Sequence, residues 1–171
     1  VNLELIIEGL AGSHDRTAFS CGVPALDRYL REQVSQDIKR RVSNCFVAAN
    51  RDGAIAGYYT LAASSVPILS LPDDQTKRLP RCPILPAILI GRLAVDSRYQ
   101  GQRIGSSLII DALRRSVQAA PASFALVVDA KDEQAAAFYR KHGFTPLRSR
   151  PLSLFLPIGT ALKLFGLEAI P

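Results

Sequence analysis

The sequence contains no methionine and no tryptophan, and only two histidines and three cysteines among 171 residues. Cys21, Cys45 and Cys82 are widely separated and odd in number, so they cannot all pair within one chain. No C-x-x-C string occurs, and His14 and His142 stand apart, so soft ligands at zinc spacing are too few and no metal is expected. Free thiols of this kind suit a reducing cytoplasm, which is the expected location. The opening Val-Asn-Leu-Glu-Leu lacks a basic n-region, so no secretory signal is expected. The longest apolar stretch, residues 152–162, is too short to span a bilayer, so no membrane partner is expected. Glycine and proline number 11 each against 48% hydrophobic residues, which excludes a disordered chain. A chain of this length buries a core without disulfide or metal staples and is read as one domain over residues 1–171.

Acidic residues are also in deficit, and unevenly so. The net charge of +6 falls entirely after residue 60, because residues 1–60 carry seven groups of each sign. From Lys77 to Arg103 six basic residues face a single acidic one, Asp96. Such a tract fits an anionic partner, either a phosphate-bearing cofactor or a nucleic acid. Composition alone favours a solvated basic face.

Hydrophobic patterning predicts a strand over residues 3–8 and a helix after Ser20, with Pro24 in its first turn and Leu26, Tyr29, Leu30 and Val34 at helical spacing. Ser20 is the candidate cap. Two strands, 44–49 and 54–62, flank Asn50-Arg-Asp-Gly53, a hairpin signal. Five prolines between residues 66 and 86 predict an ordered loop with at most a short helix near 73–79. Residues 87–95 form an almost continuous apolar strand, a central-position pattern. Helices over 104–117 and 131–142 bracket a strand at 124–129, with Gly143 placed to end the second helix. A strand at 152–156 and a short helix from Pro157 to Phe165 complete the chain. The expected fold is α/β with a mixed sheet and no internal repeat.

The chemistry concentrates where a strand turns into a helix: Ile90-Gly-Arg-Leu-Ala-Val-Asp-Ser-Arg-Tyr-Gln-Gly-Gln-Arg-Ile-Gly105. Backbone N–H groups converging at such a turn bind phosphate, and Gly101 and Gly105 permit close approach. Arg98 and Arg103 add charge. The dinucleotide pattern G-x-G-x-x-G is not met, and no P-loop string is present. The segment Gln100-Gly-Gln-Arg-Ile-Gly105 instead resembles motif A of the GCN5-related N-acetyltransferases (GNAT), Q/R-x-x-G-x-G/A, with Arg103 in place of the first motif glycine. Ala135-Ala-Ala-Phe-Tyr-Arg-Lys-His-Gly-Phe144 is similar to motif B of the same family, and the two motifs occur in the family's order.

This resemblance implies a mixed sheet flanked by helices, with a central strand splayed from its parallel neighbour, and acetyl-CoA as co-substrate in the gap. The pantetheine arm would pair with Leu93, Ala94 and Val95. The pyrophosphate would rest on the amides of Gln100, Gly101, Gln102, Arg103, Ile104, Gly105 and Ser106. The Val95 N–H would polarise the thioester carbonyl. Tyr139 matches the motif B tyrosine, whose phenol donates a proton to the departing thiolate; the alternative is that Tyr139 only packs against CoA. No carboxylate or histidine is marked as a base. An α-amino group titrates near about 7.7–8.0 and is already partly neutral at physiological pH, whereas a lysine amine near about 10.4 needs more help. The missing base therefore leans toward an α-amine acceptor.

The opening Phe19-Ser-Cys-Gly-Val-Pro-Ala-Leu-Asp-Arg-Tyr-Leu30 and the ending Leu154-Phe-Leu-Pro-Ile158 resemble the GNAT toxins of bacterial type II toxin–antitoxin modules. That resemblance implies acetylation of the α-amine of aminoacyl-tRNA, which stops translation, and a ribbon-helix-helix antitoxin partner. A homodimer is compatible with it. Lys39, Arg40, Arg78 and Arg81 are the candidate tRNA phosphate contacts, with Arg92 nearer the site mouth. The alternatives are a GNAT enzyme acting on a small amine or a protein N-terminus, and a GNAT fold kept as a binding module.

Overall fold

The computed structural model describes residues 4–166. Leu3, the first residue of the expected opening strand, lies outside them. The strands are β1 (Ile6–Gly9), β2 (Asn44–Ala49), β3 (Ile55–Pro67), β4 (Ile84–Val95), β5 (Ala125–Asp129), β6 (Thr145–Leu147) and β7 (Arg150–Pro157). They form one mixed sheet in the order β1-β2-β3-β4-β5-β7-β6. The helices are α1 (Pro24–Arg28), α2 (Val34–Lys39), α3 (Asp73–Thr76), α4 (Ile104–Gln118), α5 (Glu133–Lys141) and α6 (Ile158–Leu164). The backbone divides into two compact units, one comprising the chain up to Ala62 with Gly91–Ala112, the other Ala63–Ile90 with the chain from Leu113. β3, β4 and α4 contribute residues to both.

In the first unit β1, β2 and β3 form an antiparallel meander, with Ile6 opposite Ala49 and Asn44 opposite Leu61. The hairpin at Asn50–Gly53 forms as its sequence predicts. Asn50 Oδ1 accepts from the amides of Asp52 (3.0 Å) and Ala54 (2.9 Å). Gly53 has φ +84°, and a Cβ there would stand 2.5 Å from the Ser13 carbonyl oxygen, so only glycine fits. The apolar face of the N-terminal helical segment packs onto this meander. Phe19, Tyr29, Leu30, Val34, Cys45, Val47, Ile55 and Tyr58 are all buried together.

That segment is not one regular helix. Tyr29–Gln33 forms a π-helical turn between α1 and α2. The extra residue keeps Tyr29, Leu30 and Val34 all in the core. Ser20 is not its cap. The N-cap position is Val23, with Pro24 entering the first turn, and the Ser20 hydroxyl donates to Asp27 Oδ2 instead (3.4 Å).

In the second unit β4 runs parallel to β5, from Ala87 opposite Ala125 to Ile90 opposite Val128. β7 pairs antiparallel with both β5 and β6. Val66, Leu71, Leu85, Ala87, Ala125, Val127, Leu147 and Phe155 make its core. The proline-rich loop is shorter than expected, because β3 continues to Pro67 and β4 begins at Ile84. Pro86 is tolerated within β4 because it faces outward and its carbonyl still accepts from Phe124 N (2.8 Å). The short strand β6 was not expected from the sequence; with three residues and a proline it carries no periodic signal.

Candidate active site

The phosphate turn is built from the end of β4, in the first unit. Asp96 N donates to Ala56 O (2.9 Å) and Arg92 N to Thr60 Oγ1 (3.1 Å), so both amides face β3. Backbone groups alternate sides along a strand, so the N–H groups of Leu93 and Val95 face away from β3. Gly57 in β3 allows α4 to sit close. A Cβ there would lie 3.0 Å from Ala94 O, 3.1 Å from Leu108 Cδ1 and 3.2 Å from Ile104 Cγ2.

Asp96 then opens the turn. Its carboxylate is buried and accepts from Arg98 N (2.9 Å), Arg98 Nε (2.9 Å), Arg98 Nη2 (3.0 Å) and Ser20 N (3.1 Å). Burial opposes its charge, but these donors hold the carboxyl below the ordinary aspartate value. Ser97 N returns a bond to Ser20 O (2.8 Å), and Gln100 Nε2 donates to Cys21 O and Val95 O (3.3 Å each). Asp27 completes the bracing by accepting from Cys21 N (2.9 Å). The Phe-Ser-Cys-Gly opening is therefore a brace for the turn. Sequence reasoning missed Asp96, Ser20 and Asp27; the acid that follows an apolar strand and precedes a Ser-x-x turn was the available signal. Arg98, expected to add charge to the turn, directs its guanidinium to Asp96.

Gly101 (φ +80°) and Arg103 (φ +60°) lie in the left-handed region, and they aim the chain into α4. Arg103 thus adopts a left-handed backbone conformation that favours glycine, the residue type of the motif at this position. Its carbonyl accepts the first α4 bond, from Ser107 N (3.1 Å). The amides at the start of a helix have no intrahelical acceptor and carry the positive end of the helix dipole. A Cβ at Gly101 would meet nothing within 4 Å, so the turn opens onto free space. A turn of this kind, opening into a helix, is where an anionic group such as a pyrophosphate can be held.

The motif B string lies in the second unit, on α5. Asp132 caps it by accepting from Ala135 N (2.8 Å), and Gly143 (φ +91°) ends it. Tyr139 is buried on its inner face, edge-on to Phe138 and to Phe144 (centroids 5.4 and 5.6 Å). Burial pushes its phenol up to about 12, so the hydroxyl keeps its proton at physiological pH.

Neither histidine is placed as a base. His14 Nδ1 accepts from Ala11 N (2.9 Å), so the ring proton sits on Nε2, which donates to Glu8 Oε1 (3.0 Å). His142 caps α5, with Nδ1 donating to Phe138 O (2.8 Å). Cys21 and Cys45 are not activated thiols: burial raises them to about 11 and about 12, with a hydrogen bond to Asp27 adding to the effect at Cys21. Among the described residues no group of three or more His, Cys, Asp or Glu side chains could hold a metal, and no helix is long and apolar enough to cross a membrane.

The proposed tRNA contacts Lys39 and Arg40 are exposed at the end of α2, and Arg78 and Arg81 are exposed between α3 and β4. Arg92 differs: it is half-buried, with its guanidinium carbon 3.5 Å from the centroid of the Tyr29 ring.

The first unit carries a strand, β4, that ends in a phosphate-type turn and enters α4, and the second unit carries α5 with the buried Tyr139. Residues 41–146 match the acetyltransferase (GNAT) domain family, and the chain belongs to that family. It is similar to a tRNA-acetylating toxin of Mycobacterium tuberculosis, with 39% identity over 159 residues, covering 92% of this chain and 94% of the relative. Among solved structures, AtaT complexed with acetyl-methionyl-tRNAfMet shares 29% identity and superposes with a TM-score of 0.88, covering 95% of this chain and 99% of that one. A mutant AtaT toxin bound to the C-terminus of the antitoxin AtaR and acetyl-CoA shares 27% identity with a TM-score of 0.81, covering 94% and 98%.

Proposed function

We propose that this chain is the toxin of a toxin–antitoxin pair, an N-acetyltransferase that moves acetyl from acetyl-CoA to the α-amino group of aminoacyl-tRNA and so halts translation. The observation that carries the reading is 39% identity to a tRNA-acetylating toxin along nearly the whole of both chains. The likeness to AtaT bound to an acetylated aminoacyl-tRNA supports the same acceptor.

Acetyl-CoA supplies the activated acetyl group as a thioester. In this reading the amides of Gln100–Ser106, assisted by Arg103, hold the pyrophosphate, and the β4 edge at Leu93–Val95 aligns the pantetheine arm in a splay beside β4. The Val95 N–H donates to the carbonyl oxygen as negative charge develops there. Tyr139 delivers its phenolic proton to the sulfur as the C–S bond breaks; the proton that the attacking nitrogen sheds as the amide C–N bond forms passes to water, and water returns a proton to the Tyr139 phenolate. The α-amine arrives partly neutral, so no dedicated base is required. Lys39, Arg40, Arg78 and Arg81 contact tRNA phosphates. The chain acts as one acetyltransferase domain in the cytoplasm, able to pair as a homodimer, and is silenced by a ribbon-helix-helix antitoxin.

Purified protein incubated with radiolabelled acetyl-CoA tests the reading. Charged tRNA should take up label and uncharged tRNA should not, and mild alkali should release the label as N-acetyl amino acid. Unlabelled charged tRNA, beside efficient acetylation of a polyamine or a peptide N-terminus, would replace this reading with a small-amine or N-terminal acetyltransferase.

A further inference from the structure

Most arginines that the structure fixes in place have an acidic or carbonyl partner. Arg51, Arg98, Arg140 and Arg148 pair with Glu4, Asp96, Glu133 and Asp73, and Arg16 and Arg31 reach backbone carbonyls. Arg92 is the exception. Its side chain is half-buried, its guanidinium lies over the Tyr29 ring, and among the described residues no carboxylate pairs with it. A partly desolvated cation without a counter-ion is costly, and such a position is normally completed by an anion.

The ring beneath it is itself rigid. Tyr29 stacks on Tyr58 (6.5 Å, 17°), which meets Phe19 edge-on (5.4 Å, 70°). The Tyr29 hydroxyl donates to Asp37 Oδ2 (2.8 Å), and the π-helical turn that begins at Tyr29 sets the ring over the sheet. From the other side, Thr60 fixes the Arg92 backbone. Stacking occupies one face of the guanidinium and leaves its in-plane N–H edge for a planar, two-point contact with a phosphate. Arg92 lies three residues before Val95, about 10 Å along the strand. In an aminoacyl-tRNA the α-amine is separated from the nearest phosphate by one ester and one ribose.

We infer that Arg92, laid flat on Tyr29, is a preorganised clamp for a phosphate at the 3′ end of the acceptor, and thus a residue that distinguishes a nucleotide-borne amine from a free one. The inference rests on the aminoacyl-tRNA reading and goes beyond it by naming the group bound and the device that binds it.

The test compares two acceptors, charged tRNA and an aminoacyl-adenosine that carries the same amino acid without any phosphate. Arg92→Gln should raise KM for charged tRNA roughly 10- to 100-fold, the scale of losing charge-assisted hydrogen bonds. It should leave KM for aminoacyl-adenosine and the acetyl-CoA affinity unchanged. Arg92→Lys keeps the charge and the cation–π contact but not the planar fork, and should show the same selective defect in smaller measure. The salt dependence of the tRNA KM should flatten by about one counter-ion in Arg92→Gln. Equal losses on both acceptors in the Lys variant would overturn the inference and make Arg92 a structural staple for the N-terminal helices. Wild-type protein that labels neither acceptor would overturn the functional reading and this inference with it, so the two failures are distinguishable.

Discussion

Arg98 binds the buried Asp96 carboxylate three times, through its backbone N–H, its Nε–H and its Nη2, at 2.9, 2.9 and 3.0 Å. The pair closes the first step of the phosphate turn, and the Ser20 amide ties the N-terminal brace to the same carboxylate. Asp96→Ala would leave these donors without their acceptor and should cost about 1–3 kcal/mol. Because the folded-state carboxyl is held below its ordinary value, its contribution is present above about pH 3.9 and disappears as pH falls through the folded-state value. The stability gap between wild type and variant in denaturant melts should therefore be full at pH 7 and shrink in acid. A gap independent of pH would show that the charge of Asp96 is immaterial.

Only two non-glycine residues, Arg41 and Arg103, have positive φ among the described residues, at 59° and 60°. Replacing either with glycine should relieve strain of about 1 kcal/mol and raise the melting temperature. The two should differ in function. Arg103→Gly should weaken acetyl-CoA binding in titration calorimetry, whereas Arg41→Gly should leave it untouched. Equal affinity in both variants would reduce Arg103 to a turn residue.

Gly105 lies in the first turn of α4, where the positive end of the helix dipole is concentrated. Gly105→Asp introduces a negative charge against the expected pyrophosphate. Acetyl-CoA affinity should drop by at least tenfold while the circular dichroism spectrum stays native. Unchanged affinity would move the cofactor away from this turn.

Tyr139→Phe retains the ring packed between Phe138 and Phe144 but removes the proton donor. Turnover should fall by roughly 10²–10⁴-fold with acetyl-CoA affinity preserved. The phenol is pushed up to about 12 by burial, so wild-type rates should show no Tyr139-dependent alkaline decline below about pH 10. The same shift stabilises the fold fully below about pH 10 and is lost as pH rises through about 12, and Tyr139→Phe should abolish that alkaline loss. Near-normal turnover at saturating substrate would leave Tyr139 a packing residue.

Charge reversal at Lys39, Arg40, Arg78 and Arg81 should raise KM for charged tRNA and flatten its salt dependence, since each lost phosphate contact releases fewer counter-ions. Acetyl-CoA binding should not change. A salt slope equal to wild type would return these residues to the solvated surface.

Local chemistry made much of this protein readable from sequence alone. The Asn50–Gly53 hairpin, the glycine that ends α5, the apolar run of β4 and the two motif strings depend on neighbours close in sequence, and each appears where expected. Tertiary structure decided what depends on distant partners. Pro86 sits in a strand because Phe124 supplies a donor to its carbonyl, and β6 exists because β7 offers it an edge. Asp96 becomes the anchor of the turn only because Ser20, 76 residues earlier, is folded against it. Arg92 acquires its character in the same way: sequence marks it as a basic candidate near the site mouth, and burial beside Tyr29 turns that charge into an oriented one. Periodicity and turn chemistry act over a few residues, whereas the electrostatics of a site depend on which remote groups remove its water.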